Sequence, residues 1–193
     1  GPAGRLYYRF QNGEEILRLF GGLRSILRDY GTFGTMFRSL YAGDGRESIW
    51  KIRQVLRLSG KELTFFFPEP SPSNPMKRWN LFLRWMVRKD EIDLGLWDFI
   101  APEDLIVPLD THVFKIGRCL GWTKRQAPTW RAAVDITENL KRYDHRDPLK
   151  YDFYRCHFIG IVARCTGTRT EDCSHSCPLV QMARSAGDDS AFR

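Results

Sequence analysis

No stretch of about 18 consecutive apolar residues occurs in the 193-residue chain, which argues against a membrane-spanning helix. A charged-then-apolar leader is also missing, so the expectation is a soluble, cytoplasmic protein with no membrane partner. Cysteine is sparse and odd in number, five in all, which does not suit the paired framework of a secreted disulfide scaffold. Thiols in that number suit metal ligation or simple burial. No segment alternates apolar and polar residues convincingly, and no internal repeat is found, which leaves an all-α chain as the expectation. The opening Gly1-Pro2-Ala3-Gly4 lacks an initiator methionine and reads as a cloning remnant, with the natural protein beginning further upstream.

What is present is a basic, aromatic-rich composition. Hydrophobic residues make up 42% and aromatics 13%, enough to bury a sizeable core as one domain or as two small helical lobes. The net charge is +7, and the cations are interleaved with Trp, Tyr and Phe rather than gathered in a tail. That balance favours a polyanionic partner, although a merely basic soluble surface would have the same composition.

Helical periodicity sets the organisation. Ile16, Leu17, Phe20, Leu23, Ile26 and Leu27 form an apolar stripe with Arg18, Arg24 and Arg28 on the other side, predicting an amphipathic helix that Gly31 and Gly34 break. A short helix is expected over 35–41, and Ile49, Ile52, Val55 and Leu56 predict another to about Arg57. Pro68, Pro70, Pro72 and Pro75 crowd a stretch that cannot be helical. Four segments follow: a truncated N-terminal helical part over 1–67, a Pro-rich connector over 68–76, helices carrying the chemistry over 77–164, and a Cys-containing tail over 165–193. Pro75 suits the first turn of the helix bearing Trp79, Phe82, Leu83 and Met86. A long connector runs over 93–107, Gly121 stops the helix that follows Asp110, another helix spans about 127–143, and Asp147-Pro148 opens one through Val162.

Asp110 stands where an apolar run, Val107-Pro108-Leu109, turns into a basic helix. Aspartate before such a helix is first of all an N-cap. The position also holds a carboxylate ionised, through helix N–H groups and the dipole, and an ionised acid can stabilise the positive charge that builds on a sugar as its base departs. Both roles remain open at this point.

The succession Pro108-Leu109-Asp110-Thr111-His112-Val113-Phe114-Lys115, followed by Arg118 and Gly121-Trp122, resembles the Asp-Thr-His segment of the helix-hairpin-helix DNA glycosylases, endonuclease III and the adenine-mismatch enzymes among them. The resemblance implies a helix-hairpin-helix glycosylase-like helical domain with Asp110 as catalytic carboxylate, and with His112 and Thr111 as hydrogen-bonding residues at the helix start. It also implies a lysine at the start of an earlier helix, matched by Lys77 in Pro75-Met76-Lys77-Arg78-Trp79. The amine of Lys77 would attack the anomeric carbon, and the resulting Schiff base would permit strand cleavage. Burial against Trp79 and the like charge of Arg78 would help keep that amine neutral, whereas an exposed lysine beside a phosphate is the plainer alternative.

The chain departs from the pattern ahead of Lys77. Pro70-Ser71-Pro72-Ser73-Asn74-Pro75 stands where the family has its Leu-Pro-Gly-Val-Gly hairpin, and 33 positions separate Lys77 from Asp110, an interval similar to that of the archaeal 8-oxoguanine DNA glycosylases. With that hairpin missing, the resemblance does not carry the family's hairpin binding to the DNA backbone over to this chain, and the archaeal enzymes have a likewise atypical hairpin. Residues from Lys77-Arg78-Trp79-Asn80 to Tyr151-Asp152-Phe153, with Phe10-Gln11-Asn12-Gly13 further back, also resemble a bacterial family described only as a domain of unknown function. Its members begin upstream of the equivalent of Gly1.

Cys165, Cys173 and Cys177 form a Cys-x7-Cys-x3-Cys pattern similar to the iron–sulfur spacing at the C-terminus of endonuclease III, without a fourth cysteine near Ala183. Cys156 or His175 would complete a site for a structural iron–sulfur cluster or zinc. Buried free thiols are the alternative. No cofactor is required for the implied catalysis.

Arg78, Trp79, His112, Lys115 and Arg118 are the expected DNA contacts. Arg84, Arg88, Lys124, Arg125, Lys141 and Arg142 are further phosphate-binding candidates, and Trp79, Trp85 or Trp97 could stack on a flipped base, though aromatics at helical spacing are usually core. The expectation is therefore a monomeric, nucleoid-associated glycosylase, with lyase activity left open, acting on duplex DNA with a damaged base, oxidised guanine by preference. A non-catalytic DNA- or RNA-binding module of the same fold is the alternative. A metal-dependent structural protein is the third reading.

Overall fold

The computed structural model describes residues 7–8, 11–151, 168 and 177. Among them are six α-helices: α1 (Gly13–Tyr30), α2 (Phe33–Leu40), α3 (Gly45–Val55), α4 (Lys77–Val87), α5 (Thr111–Cys119) and α6 (Trp130–Lys141). The only sheet among the described residues is a two-residue antiparallel pair, β1 (Tyr7–Tyr8) with β2 (Gln11–Asn12), in which Tyr7 faces Asn12 and Tyr8 faces Gln11. The fold is all-α, and no described helix is long and apolar enough to cross a membrane.

Two compact units divide the chain discontinuously. Unit 1 comprises Gly1–Ser71 and Phe82–Asp104; unit 2 comprises Pro72–Leu81 and Leu105–Arg193. The first residues of α4 thus belong to unit 2 and the remainder to unit 1.

In unit 1, local sequence starts each helix. Asn12 and Glu15 form a reciprocal capping box at α1, with the Glu15 N–H donating to Asn12 Oδ1 at 2.9 Å and the Asn12 N–H donating to Glu15 Oε2 at 3.1 Å. Thr32 caps α2 and Asp44 caps α3. The expected break at Gly34 does not occur, because α2 begins at Phe33 once Thr32 caps it. Gly34 instead permits a close approach: a Cβ there would lie 2.8 Å from Nε1 of Trp97. That indole is 8% exposed and stacks on Phe37 at 4.8 Å and 18°, with Phe82 edge-on at 5.5 Å. Such aromatic pairs add about 0.5–1.5 kcal/mol each beyond area burial. Ile26, Met36, Phe37, Ile49 and Ile52 are among the most deeply buried residues of this unit. The stripe predicted on α1 is wider than the face its packing covers. Ile26 is buried, but Leu17 and Phe20 are each 62% exposed and Leu27 56%.

Arg84 and Arg88, expected as surface cations, are buried in unit 1. Both guanidiniums converge on the fully buried carboxylate of Asp93, Arg84 Nε donating to Oδ2 at 3.1 Å, and Arg88 also reaches Asp90 at 2.8 Å. Asp90 in turn accepts from the N–H groups of Ile92 and Asp93, and so closes the turn that leads into the Lys89–Leu94 bridge. These arginines build the loop, and their charge is spent on carboxylates rather than offered to phosphates.

In unit 2, α5 packs on α6 through Gly117, where a Cβ would lie 2.5 Å from Cδ1 of the fully buried Ile136. Gly121, at φ +72, follows the end of α5, where the Trp122 N–H donates to the carbonyl of Gly117. The extended segment before α5 is tied to α6 by a shared hydroxyl. Thr137 Oγ1 accepts from the Val107 N–H at 3.0 Å and donates to the Ala133 carbonyl at 2.8 Å. The helix expected to open at Asp147 shows only turns over residues 148–151, and its remainder lies outside the described residues.

Candidate functional site

The chemistry-bearing residues of unit 2 meet where the beginnings of two helices come together. Val107, Pro108 and Leu109 are buried, so Asp110 leaves the core on a fixed stem and begins α5 as its N-cap. Its two oxygens have separate duties. Oδ1 accepts from the Val113 N–H at 2.8 Å, and Oδ2 accepts from Nζ of Lys77 at 3.0 Å. The side chains are 29% exposed at Asp110 and 47% at Lys77, so the pair is open to solvent and to a ligand.

Partial burial pushes the Asp110 carboxyl up, but the Val113 N–H, the Lys77 ammonium and the His112 N–H together outweigh it. The net result holds the carboxyl below the usual carboxylate range. Asp110 is therefore ionised at neutral pH.

Lys77 is fixed by the turn before it. Met76 has φ +53, a left-handed conformation that costs a non-glycine residue about 1–3 kcal/mol unless its surroundings hold it there. Here they do. The Met76 side chain is 1% exposed, its N–H donates to Asn74 Oδ1 at 2.9 Å, and the buried Asn80 donates from Nδ2 to the Pro75 carbonyl at 3.1 Å. The Pro72 carbonyl accepts from the Trp130 N–H at 3.3 Å, which ties the connector to α6. Pro75 thus stands before the helix rather than in its first turn, because α4 starts at Lys77.

The other predicted residues separate into surface and core. His112, Lys115 and Arg118 are exposed, and Thr111, Lys115 and Arg118 follow one another along one outer face of α5. The Arg118 guanidinium lies 6.0 Å from the Phe114 ring centre. Arg78 is exposed beside Lys77. Trp79 is 3% exposed and belongs to the interior, so it presents no ring face to a base; Trp97 is likewise core. Trp85 is 40% exposed and Trp50, which the sequence reading passed over, 51%. Arg125 is paired with Asp135 at 2.8 Å and Lys141 with Glu138 at 3.0 Å. Cys156, Cys165 and Cys173, with His175, lie outside the described residues; Cys177 is partly exposed and forms no disulfide. No group of three or more metal-ligating side chains occurs among the described residues.

Asn74 and Asn80 hold the Met76 turn, a role that the motifs containing them did not by themselves assign. The signal was present at Asn80, a polar residue at a buried helical register, since a buried amide requires a partner.

The chain belongs to the DUF2400 family, described as a protein family of unknown function, which matches residues 2–161. No curated protein and no solved structure matches the chain.

Proposed function

We propose that this protein is a DNA glycosylase with abasic-site lyase activity, excising a damaged base, with oxidised guanine the favoured substrate class. The observation that carries the reading is the Lys77–Asp110 contact, a primary amine and an ionised carboxylate 3.0 Å apart at the openings of two helices. The resemblance of the Asp110 segment to the helix-hairpin-helix glycosylases supplies the reaction type.

In this reading an ammonium must lose a proton before it attacks, and the Asp110 carboxylate is within hydrogen-bond reach to receive it. The neutral Lys77 nitrogen then forms a bond to the anomeric carbon. The glycosidic bond breaks, and its electron pair leaves with the base, which takes up the proton that Asp110 received and so restores the carboxylate. Restored as an anion, Asp110 stabilises the positive charge left on the sugar. Opening of the sugar ring gives a protonated imine with Lys77. Loss of a proton from the adjacent carbon then expels the 3′ phosphate, and hydrolysis returns the amine. Arg78, Lys115 and Arg118 would neutralise backbone phosphates around the lesion.

The test is borohydride reduction on a panel of lesion-bearing duplex and single-stranded oligonucleotides, with Lys77→Gln and Asp110→Asn beside the wild type. A covalent adduct on one lesion, absent in Lys77→Gln, is the expected result. Base release without an adduct, lost only in Asp110→Asn, would restrict the activity to hydrolysis. A protein that binds these DNAs and gives neither product is not a glycosylase. The exposed cations along α5 would then favour the second reading, a non-catalytic DNA- or RNA-binding module whose binding survives Lys77→Gln.

A further inference from the structure

Unit 1 carries a half-open cleft of about 760 Å³ that the Lys77–Asp110 chemistry does not use. Its floor is one face of α1, where Arg18, Gly21, Gly22, Ser25 and Arg28 recur at helical spacing. Its wall is the segment after α3, with Leu56, Arg57 and Leu58 facing the space.

Two adjacent glycines in the interior of an 18-residue helix are costly, about 1 kcal/mol each relative to alanine. Packing accounts for only one of them. A Cβ at Gly22 would lie 3.0 Å from Leu56, whereas a Cβ at Gly21 would meet nothing within 4 Å. Gly21 therefore keeps bare helix backbone at an open floor.

The wall is built in advance. The buried Arg53 guanidinium donates to the carbonyls of Gly60 and Phe67 at 2.6 Å each and to that of Glu62 at 3.2 Å. These bonds hold a loop that includes left-handed residues at Arg57, Gly60 and Leu63.

The cations are available to a ligand. Arg18 bridges to Glu62 across the cleft, and Arg28 to its neighbour Asp29. Exposed pairs of this kind contribute only about 0–1 kcal/mol, so a ligand anion can exchange for either carboxylate at small cost. Arg57 is exposed and has no ion-pair partner among the described residues. Three guanidiniums against two carboxylates leave the cleft positive, and its volume is that of a small-molecule site rather than of a single anion. Leucine side chains beside the arginines provide a surface for a flat, weakly polar body.

We propose that this cleft binds a nucleotide, its phosphate on Arg57 and Arg18 and its base against the Leu56–Leu58 wall. The site is independent of the reading of Lys77 and Asp110. Phosphate of this kind is offered by a free nucleotide or by one residue of a nucleic-acid strand.

Isothermal titration calorimetry on the full chain, with adenosine 5′-monophosphate and with a single-stranded thymidine tetranucleotide, tests the proposal and separates the two sources. The variants are Arg57→Gln and Gly21→Leu. The leucine fills the floor while improving helix propensity, so its thermal midpoint should not fall, and folding failure cannot account for lost binding. Binding of either probe, weakened about tenfold or more in both variants and unchanged in Lys77→Gln, is the expected result. The tetranucleotide alone binding in this way would identify the source as a strand. Binding of neither probe, or binding undiminished in both variants, overturns the proposal.

Discussion

Asp110→Asn and Asp110→Ala separate the two duties of one carboxylate. Asparagine keeps an oxygen for the Val113 N–H and loses the charge opposite Lys77, whereas alanine loses both. Loss of the cap costs about 1 kcal/mol, within a range of roughly 0.5–2. The ion pair is exposed by about half at Lys77 and contributes about 0–1 kcal/mol. Asp110→Asn should therefore lower stability by at most about 1 kcal/mol, and Asp110→Ala by about 0.5–3 kcal/mol. For a chain of this size that corresponds to about 2–4 °C in thermal midpoint per kcal/mol, read by calorimetry or circular dichroism. On the proposed glycosylase reading, base excision should not follow that order. Both variants should lose about a hundredfold or more, because both remove the negative charge that the proposed reaction places beside the sugar. A stable but inactive Asp110→Asn would distinguish chemistry from capping. Asparagine as destabilising as alanine would refute the assignment of Oδ1 to the cap, and full excision activity in Asp110→Asn would refute the catalytic role of the charge.

Asp93→Asn should destabilise the fold by about 3–5 kcal/mol, because it leaves the Arg84 and Arg88 guanidiniums buried without their shared counter-charge; chemical denaturation measures this, and a loss under 1 kcal/mol would contradict the arrangement. Gly117→Ala should cost about 1–3 kcal/mol by forcing α5 away from Ile136, while Gly121, in no such contact, is sensitive through its backbone conformation instead. The depressed Asp110 carboxyl contributes stability that is present above its unfolded-state pKa and is lost as pH falls through its lower folded value. In Lys77→Gln the Asp110 titration followed by carbon-detected NMR should move upward; an unmoved titration would show that the Val113 and His112 N–H groups alone hold the carboxyl down.

Local rules account for much of the fold. Asn12 with Glu15, Thr32, Asp44, Asp110 and Thr129 begin helices for the reason their side chains suggest, each accepting from a backbone N–H in the first turn. The prolines over 68–75 keep their segment out of helix because proline lacks a donor and restrains the residue before it. The outer face of α5 was equally legible, since Lys115 and Arg118 fall opposite the buried Val113, Phe114 and Ile116.

Where charge and aromatic rings go is decided by packing, which periodicity does not encode. Arg84 and Arg88 carry the same sequence signal as Lys115 and Arg118, yet Asp93 draws them inward by a turn that no helical wheel contains. Trp79 and Trp85 differ by less than two turns of one helix, and only contacts made elsewhere in the chain bury the first and leave the second exposed. The sequence by itself determined an all-α chain and the cap that begins α5, and it singled out Lys77 and Asp110 as a candidate pair. Tertiary structure decided that these two, 33 positions apart, meet at 3.0 Å, because a left-handed Met76 braced by Asn74 and Asn80 aims one helix start at the other.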